Sequence, residues 1–183
     1  MKSRISNSVY GLALAFVLAL AGAAFLSPAR GVSATAPGGP GQSDSEAKKL
    51  EGTWRVVVTP RFCDSGEEIP GRSFRALITF ARGETLNATS TASLPNARLS
   101  NEYGVWRHEG DHTYSAVSES FVFSSTGAWL GTHRLTRTIE IGDDPDTFSQ
   151  TASGTFRDTD GDNPILGLPA AVCSTAVGHR LEE

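Results

Sequence analysis

The stretch TWRVVVTPRF, residues 53–62, sets Trp54, Val56 and Val58 on one parity and Arg55, Val57 and Thr59 on the other. Successive side chains of a strand point to opposite faces, so this alternation predicts a strand with one covered face and one wet face. The pattern recurs downstream in SFRALITFAR (73–82), ETLNATSTAS (84–93), YGVWRHE (103–109), HTYSAVSESFVFS (112–124), THRLTRTIEI (132–141), TFSQTASGTF (147–156) and VCSTAVGHRL (172–181). Gly, Asp, Asn, Pro and Ser clusters separate the runs, and helical periodicity is almost absent outside SDSEAKKL (43–50). Eight short runs at hairpin spacing predict an all-β sandwich or an eight-stranded antiparallel up-and-down barrel.

Sorting the runs by parity gives an expected inner face. Trp54, Val56 and Val58 are followed by Phe74, Ala76, Ile78 and Phe80, then by Val117, Phe121 and Phe123. Leu135, Ile139 and Ile141 come next, with Phe148, Ala152 and Phe156 after them. On the last run the inward set is Ser174, Ala176, Gly178 and Arg180, small apart from the arginine, which leaves room inside. His133 and Arg137 share the parity of Leu135, and Glu119 shares that of Phe121. A turn around Thr126 and Gly127 sets Glu119 roughly opposite Arg137. Because a buried unpaired charge is expensive, pairing is expected. The pair reads either as a structural ion pair at the rim or as a ligand anchor in which Arg137 or His133 holds an acidic end.

The chain opens with Lys2 and Arg4 ahead of an apolar run at about 10–26, and Val32-Ser33-Ala34 supplies small residues at a cleavage position. This order predicts a signal peptide over 1–34, with a retained membrane anchor as the competing reading. A Gly-, Pro- and Ser-rich leader follows over 35–48, leaving the barrel domain at 49–183. A secreted or periplasmic location is expected, with no membrane association after cleavage. Cys63 and Cys173 are the two cysteines, and in an exported chain an isolated pair without C-x-x-C spacing predicts a disulfide. A net charge of −4 with scattered basic residues argues against a nucleic-acid partner.

His108-Glu109-Gly110-Asp111-His112 matches the H-E-x-x-H pattern of zinc proteases, which needs a helix to bring both histidines to one side. Here the flanks favour strands and Gly110-Asp111 favours a two-residue turn, which would pair Glu109 with His112 and set the histidines on opposite faces. Asp158-Thr159-Asp160-Gly161-Asp162 begins like a calcium loop. Its sixth position is Asn163 and its twelfth Pro169, so a solvated turn is expected. In place of the two-residue turn at Gly110-Asp111, a three-residue loop would put His108 and His112 on one face at the barrel rim and leave a surface metal site as the alternative; no metal is expected, and no cofactor is implied.

Gly52-Thr53-Trp54 resembles the G-x-W signature that opens the first strand of lipocalins and the wider calycin superfamily. The layout G-T-W, G-V-W-x-x-x-G-D-x-x-Y and C-x-T-A-x-G-x-R also looks like that of uncharacterised secreted bacterial proteins. The calycin resemblance implies that Trp54 plugs the closed end of an eight-stranded barrel and that Arg180 lies across it. It also implies that the first and last strands pair. The register set by Trp54 with Arg180 differs by two residues from the one set by Cys63 with Cys173, an offset that Pro60 could absorb. Binding of one small apolar or amphipathic molecule then follows by analogy, lined by Phe74, Ile78, Glu119, Phe121, His133, Leu135, Arg137, Ile139 and Phe148. A barrel-type isomerase or cyclase and an inhibitor-like protein-binding module are the alternatives. No catalytic residue can be assigned.

Overall fold

A computed structural model describes Ser45 and residues 48–182. The signal peptide over 1–34 and almost all of the leader over 35–48 lie outside the described residues. Residues 48–50 form a helical turn leading into nine strands. These are β1 (Gly52–Arg61), β2 (Phe74–Ala81), β3 (Thr85–Ser90), β4 (Ala97–Leu99), β5 (Glu102–Gly110), β6 (Thr113–Ser124), β7 (Trp129–Ile141), β8 (Thr147–Arg157) and β9 (Ala171–Arg180). Neighbouring strands pair antiparallel in the order β4-β6-β5-β3-β2-β1-β9-β8-β7, and β6 also pairs with β7. That last pairing closes the sheet. Strand β4 pairs with the C-terminal end of β6 while β5 pairs with the rest, so the two are successive pieces of one barrel stave. The result is a closed eight-stranded antiparallel β-barrel.

The seam between β1 and β9 follows the register of Trp54 opposite Arg180, continuing unbroken through Pro60 opposite Ser174 to Arg61 opposite Cys173. Cys63 therefore lies just past the strand, where the chain curls back through a backbone bond from Phe62 to the Glu67 carbonyl. Its disulfide to Cys173 ties that curl to β9, with the Cα atoms 5.2 Å apart. The two-residue offset is thus taken up after Arg61, not at Pro60.

One end of the barrel is plugged by aromatics. Trp54 is fully buried and meets Phe148 edge-on at 4.9 Å, Phe148 meets Phe80 at 6.3 Å, Phe80 meets Trp106 at 6.0 Å, and Trp106 meets Tyr114 at 6.1 Å. Offset and edge-on ring contacts add roughly 0.5–1.5 kcal/mol each to the burial of the rings. The Arg180 guanidinium lies 4.2 Å from the Trp54 ring centroid and donates to the carbonyls of Glu51 and Lys49 and to Asp146. Trp54 itself donates to the Leu50 carbonyl at 2.9 Å. Gly52 has a φ of 128°, and a Cβ there would stand 2.8 Å from an Arg180 nitrogen. Glycine at the start of the G-T-W stretch is what lets the arginine close over the tryptophan.

The space expected beside the small residues of β9 is occupied. A Cβ on Gly178 would lie 2.3 Å from the Phe148 ring, so glycine here is a seat for an aromatic side chain and not a vacancy. At the other end a second cluster joins Ala97, Val122, Phe156 and Ile165, with Leu94, Leu99, Leu130, Leu168 and Val172 packed against it. Ile165 and Leu168 come from the long β8–β9 loop, which folds over that end of the barrel.

Candidate functional site

Between the two apolar clusters the inner wall turns polar. Along β6 the inward residues run Tyr114, Ala116, Ser118, Ser120 and Val122, all buried. On the facing stretch of β7 they run His133, Leu135, Arg137 and Ile139, with only Leu135 less than fully buried. Ser120 stands directly opposite His133, and His133 directly opposite Phe156 of β8. A band of side chains able to hydrogen-bond is therefore enclosed by hydrophobic plugs at both ends.

The charge in this band is self-compensated. Arg137 is 4% exposed and pairs with Glu102, a residue of β5 that is 14% exposed. Ser118 accepts a hydrogen bond from Arg137 at 2.5 Å and donates one to Glu102 at 2.9 Å. Guanidinium, hydroxyl and carboxylate form a closed triangle, which is how a buried ion pair recovers part of its desolvation cost. Gly104 next to it is required by space, since a Cβ there would run into the backbone of Val117 and Ser118.

Beside the triangle lie groups that have no hydrogen-bond partner. Both ring nitrogens of His133, the Ser120 hydroxyl and the Gln150 carbonyl oxygen are buried and unsatisfied. The His133 ring stacks on Phe156 at 4.3 Å and 13° and backs onto Gly154, where a Cβ would sit 3.0 Å from Nε2. Burial is the main cause that lowers the His133 pKa to about 4; nearby Glu102 opposes it and nearby Arg137 reinforces it. The imidazole is neutral at pH 7, so it presents one donor and one acceptor. Leaving a buried polar atom unpaired costs roughly 1–3 kcal/mol; three of these atoms stand together on Ser120 and His133, while Gln150 lies farther along β8, opposite Ile139.

The His133 shift also gives a measurable stability effect. The unfolded chain titrates this histidine near 6.5 and the folded chain near 4, so the unfolded state binds more protons between those values. Stability is fully present above pH 6.5 and is lost as pH falls toward 4, by about 3 kcal/mol for this group. Urea unfolding of the wild type and of His133→Phe at pH 7 and pH 4 should differ by that amount in their pH dependence. Parallel losses in the two proteins would remove His133 as the cause.

The nine residues expected to line the interior divide into three groups. Ile78, Ile139 and Phe148 belong to the packed core, and Phe74 packs at its edge. His133, Leu135 and Arg137 face the polar band. Phe121 and Glu119 do not face inward: Phe121 is 55% exposed, and Glu119 pairs on the outer surface with Arg134 at 2.7 Å. Val117 and Phe123 share that outer parity.

The cause is a one-residue irregularity. The β5–β6 turn is Asp111-His112, with Gly110 opposite Thr113 and the register shifting between His108 and Gly110. A one-residue slip exchanges the faces of a strand, so β6 turns its small polar residues in and its larger apolar ones out. On β7 the register puts Glu119 opposite Arg134, three residues before Arg137, which itself stands opposite Ala116. Phe121 meets Phe123 and Trp129 at 6.4 and 6.3 Å on the outer wall, next to exposed Tyr103 and Val105. Sequence reading missed Glu102, Ser118, Ser120 and Gln150. The available signal was the even parity of β6 opposite Arg137.

The H-E-x-x-H stretch lies in strand and turn, where the His108 ring bonds the Asp111 carbonyl and packs on Tyr114. The Asp158 carboxylate accepts from the backbone of Asp162 and Asn163 and from the Asn163 amide; the last of these does most to lower its pKa. Among the described residues no group of three or more His, Cys, Asp or Glu is arranged to hold a metal ion. A groove of about 450 Å³ runs along β1, β9, β8 and β7, past Thr59, Arg61, Thr138, Glu140 and Thr175, and Gln150 is among its lining residues.

No family model and no curated protein matches the chain. The chain is similar to a solved structure, EF1p2_mFAP2b bound to DFHBI, at 23% identity over 73% of this chain and 95% of that one, with a TM-score of 0.49.

Proposed function

We propose that the protein binds a small molecule within the barrel, at the polar band between the two apolar clusters. The observation that carries this reading is the set of unpartnered, buried polar atoms on the facing residues Ser120 and His133. Hydrophobic walls with a few convergent polar groups are the usual chemistry of a small-molecule site. Phe156 and Leu135 supply the apolar walls, and the β8–β9 loop carrying Ile165 and Leu168 is the covering segment. Phe74, Ile78, Ile139 and Phe148 hold the frame and do not touch the ligand. Cleavage after Ala34 and export to the periplasm or medium belong to the same reading, as does kinship with the calycins. The disulfide is compatible with export, and among the described residues no helix is long and apolar enough to cross a membrane.

Native mass spectrometry of the protein purified from its natural source tests the reading. A discrete extra mass is expected that disappears on denaturation. Ser120→Phe, which fills the band, should lose it. Identical native and denatured masses, with no member of a chemically diverse small-molecule panel raising the unfolding temperature, would contradict the reading.

A further inference from the structure

We infer that the ligand of this band is an uncharged molecule carrying a hydroxyl or comparable donor–acceptor group on an apolar body, and not a carboxylate. The inference deepens the proposed binding function and rests on it. Its basis is the difference between the two halves of the band. In one half the charges are already matched, because Arg137 is occupied by both Glu102 and Ser118. A ligand carboxylate brought to Arg137 would have to displace the Glu102 carboxylate or lie beside it, and two like charges at close range in a buried site repel strongly.

The other half is uncharged and unsatisfied. Ser120 and His133 face each other across adjacent strands, a separation of about 4.5–5.5 Å between Cβ atoms. Their free capacity is one hydroxyl, which both donates and accepts, and one imidazole with a donor and an acceptor nitrogen. A single hydroxyl on a ligand can accept from one of these groups and donate to the other. An anionic oxygen can only accept, leaving the acceptor nitrogen of His133 facing it. Phe156, stacked flat on His133, gives the apolar part of such a molecule a neighbouring surface.

The chemistry can be tested with three molecules of one shape: 4-methylphenol, 4-methylbenzoate and toluene, titrated into the disulfide-bonded protein by calorimetry at pH 7. The phenol should bind about tenfold more tightly than toluene, the gain of roughly one well-made hydrogen bond. The benzoate should bind at least tenfold more weakly than the phenol. Ser120→Ala and His133→Phe should each reduce phenol binding about tenfold and leave toluene unchanged. Glu102→Gln keeps the shape of the triangle while freeing the Arg137 charge, and it should raise benzoate affinity above that of the phenol.

If the benzoate binds the wild type as well as the phenol does, the charge assignment is wrong while the interior site stands. If toluene equals the phenol, the polar groups are satisfied by buried water alone and the inference also fails. If none of the three binds and none shifts the His133 ring resonances, the proposed binding function fails with it. Should Glu102→Gln not fold, the wild-type ranking of the three probes and the His133→Phe result decide the matter.

Discussion

Replacing Glu102 with leucine should destabilise the barrel by about 3–5 kcal/mol, the cost of leaving a buried guanidinium without its carboxylate. Arg137 is 4% exposed, so water cannot take the place of the lost partner. The loss reports an orphaned charge and not the net worth of the ion pair. The triple replacement Glu102→Leu, Ser118→Ala and Arg137→Met removes every member of the triangle and leaves nothing unsatisfied. It should recover most of the stability, since well-packed apolar side chains often substitute for a buried ion pair without loss. The Ser118 change is needed because both of its partners would be gone. Urea unfolding of the single and triple variants measures the difference. A single variant within 1 kcal/mol of wild type would mean that the pair is far more hydrated than its burial implies.

Breaking the seam bridge should cost about as much. The Cys63–Cys173 disulfide closes a loop of 110 residues, and constraint of the unfolded chain over that length corresponds to about 4–5 kcal/mol in the chain-entropy description. Cys63→Ala with Cys173→Ala should lower the unfolding free energy by that amount, and reduction of the wild type should match it. The fold itself should persist where stability allows. Ten β1 residues still pair across the seam or with β2, and the Arg180–Trp54 contact does not depend on sulfur. A reduced protein as stable as the oxidised one would show that the bridge only decorates a seam held by other means.

The elements that were legible in the sequence are those where periodicity and position agree. Every alternating run became a strand, and the pairing of β1 with β9 followed from Trp54, Arg180 and two cysteines. The polar band was legible only in part. His133 and Arg137 stood out because charged or titratable side chains shared a parity with Leu135 and Ile139. Strand β6 misled because its bulkier apolar residues, Val117, Phe121 and Phe123, lie on the outer wall. Hydrophobic size on alternating positions cannot sense a bulge beyond the strand, and the shift near Glu109 exchanged the two faces. Glu102 was overlooked for a related reason: it precedes the alternating run that begins at Tyr103, so no pattern marked it.

An apolar residue at Ser120, His133 or Gln150 would avoid the unpaired atoms altogether. Retaining them costs stability, and the proposed binding function rests on that cost.

The most direct test of this account is the state of the His133 imidazole in solution, read from long-range proton–nitrogen correlations at pH 7 without and with 4-methylphenol. The account predicts a neutral ring whose acceptor nitrogen moves markedly upfield on saturation and whose shift change is abolished in Ser120→Ala. A ring that is protonated at pH 7, or neutral nitrogens that do not move at saturating phenol, would contradict it.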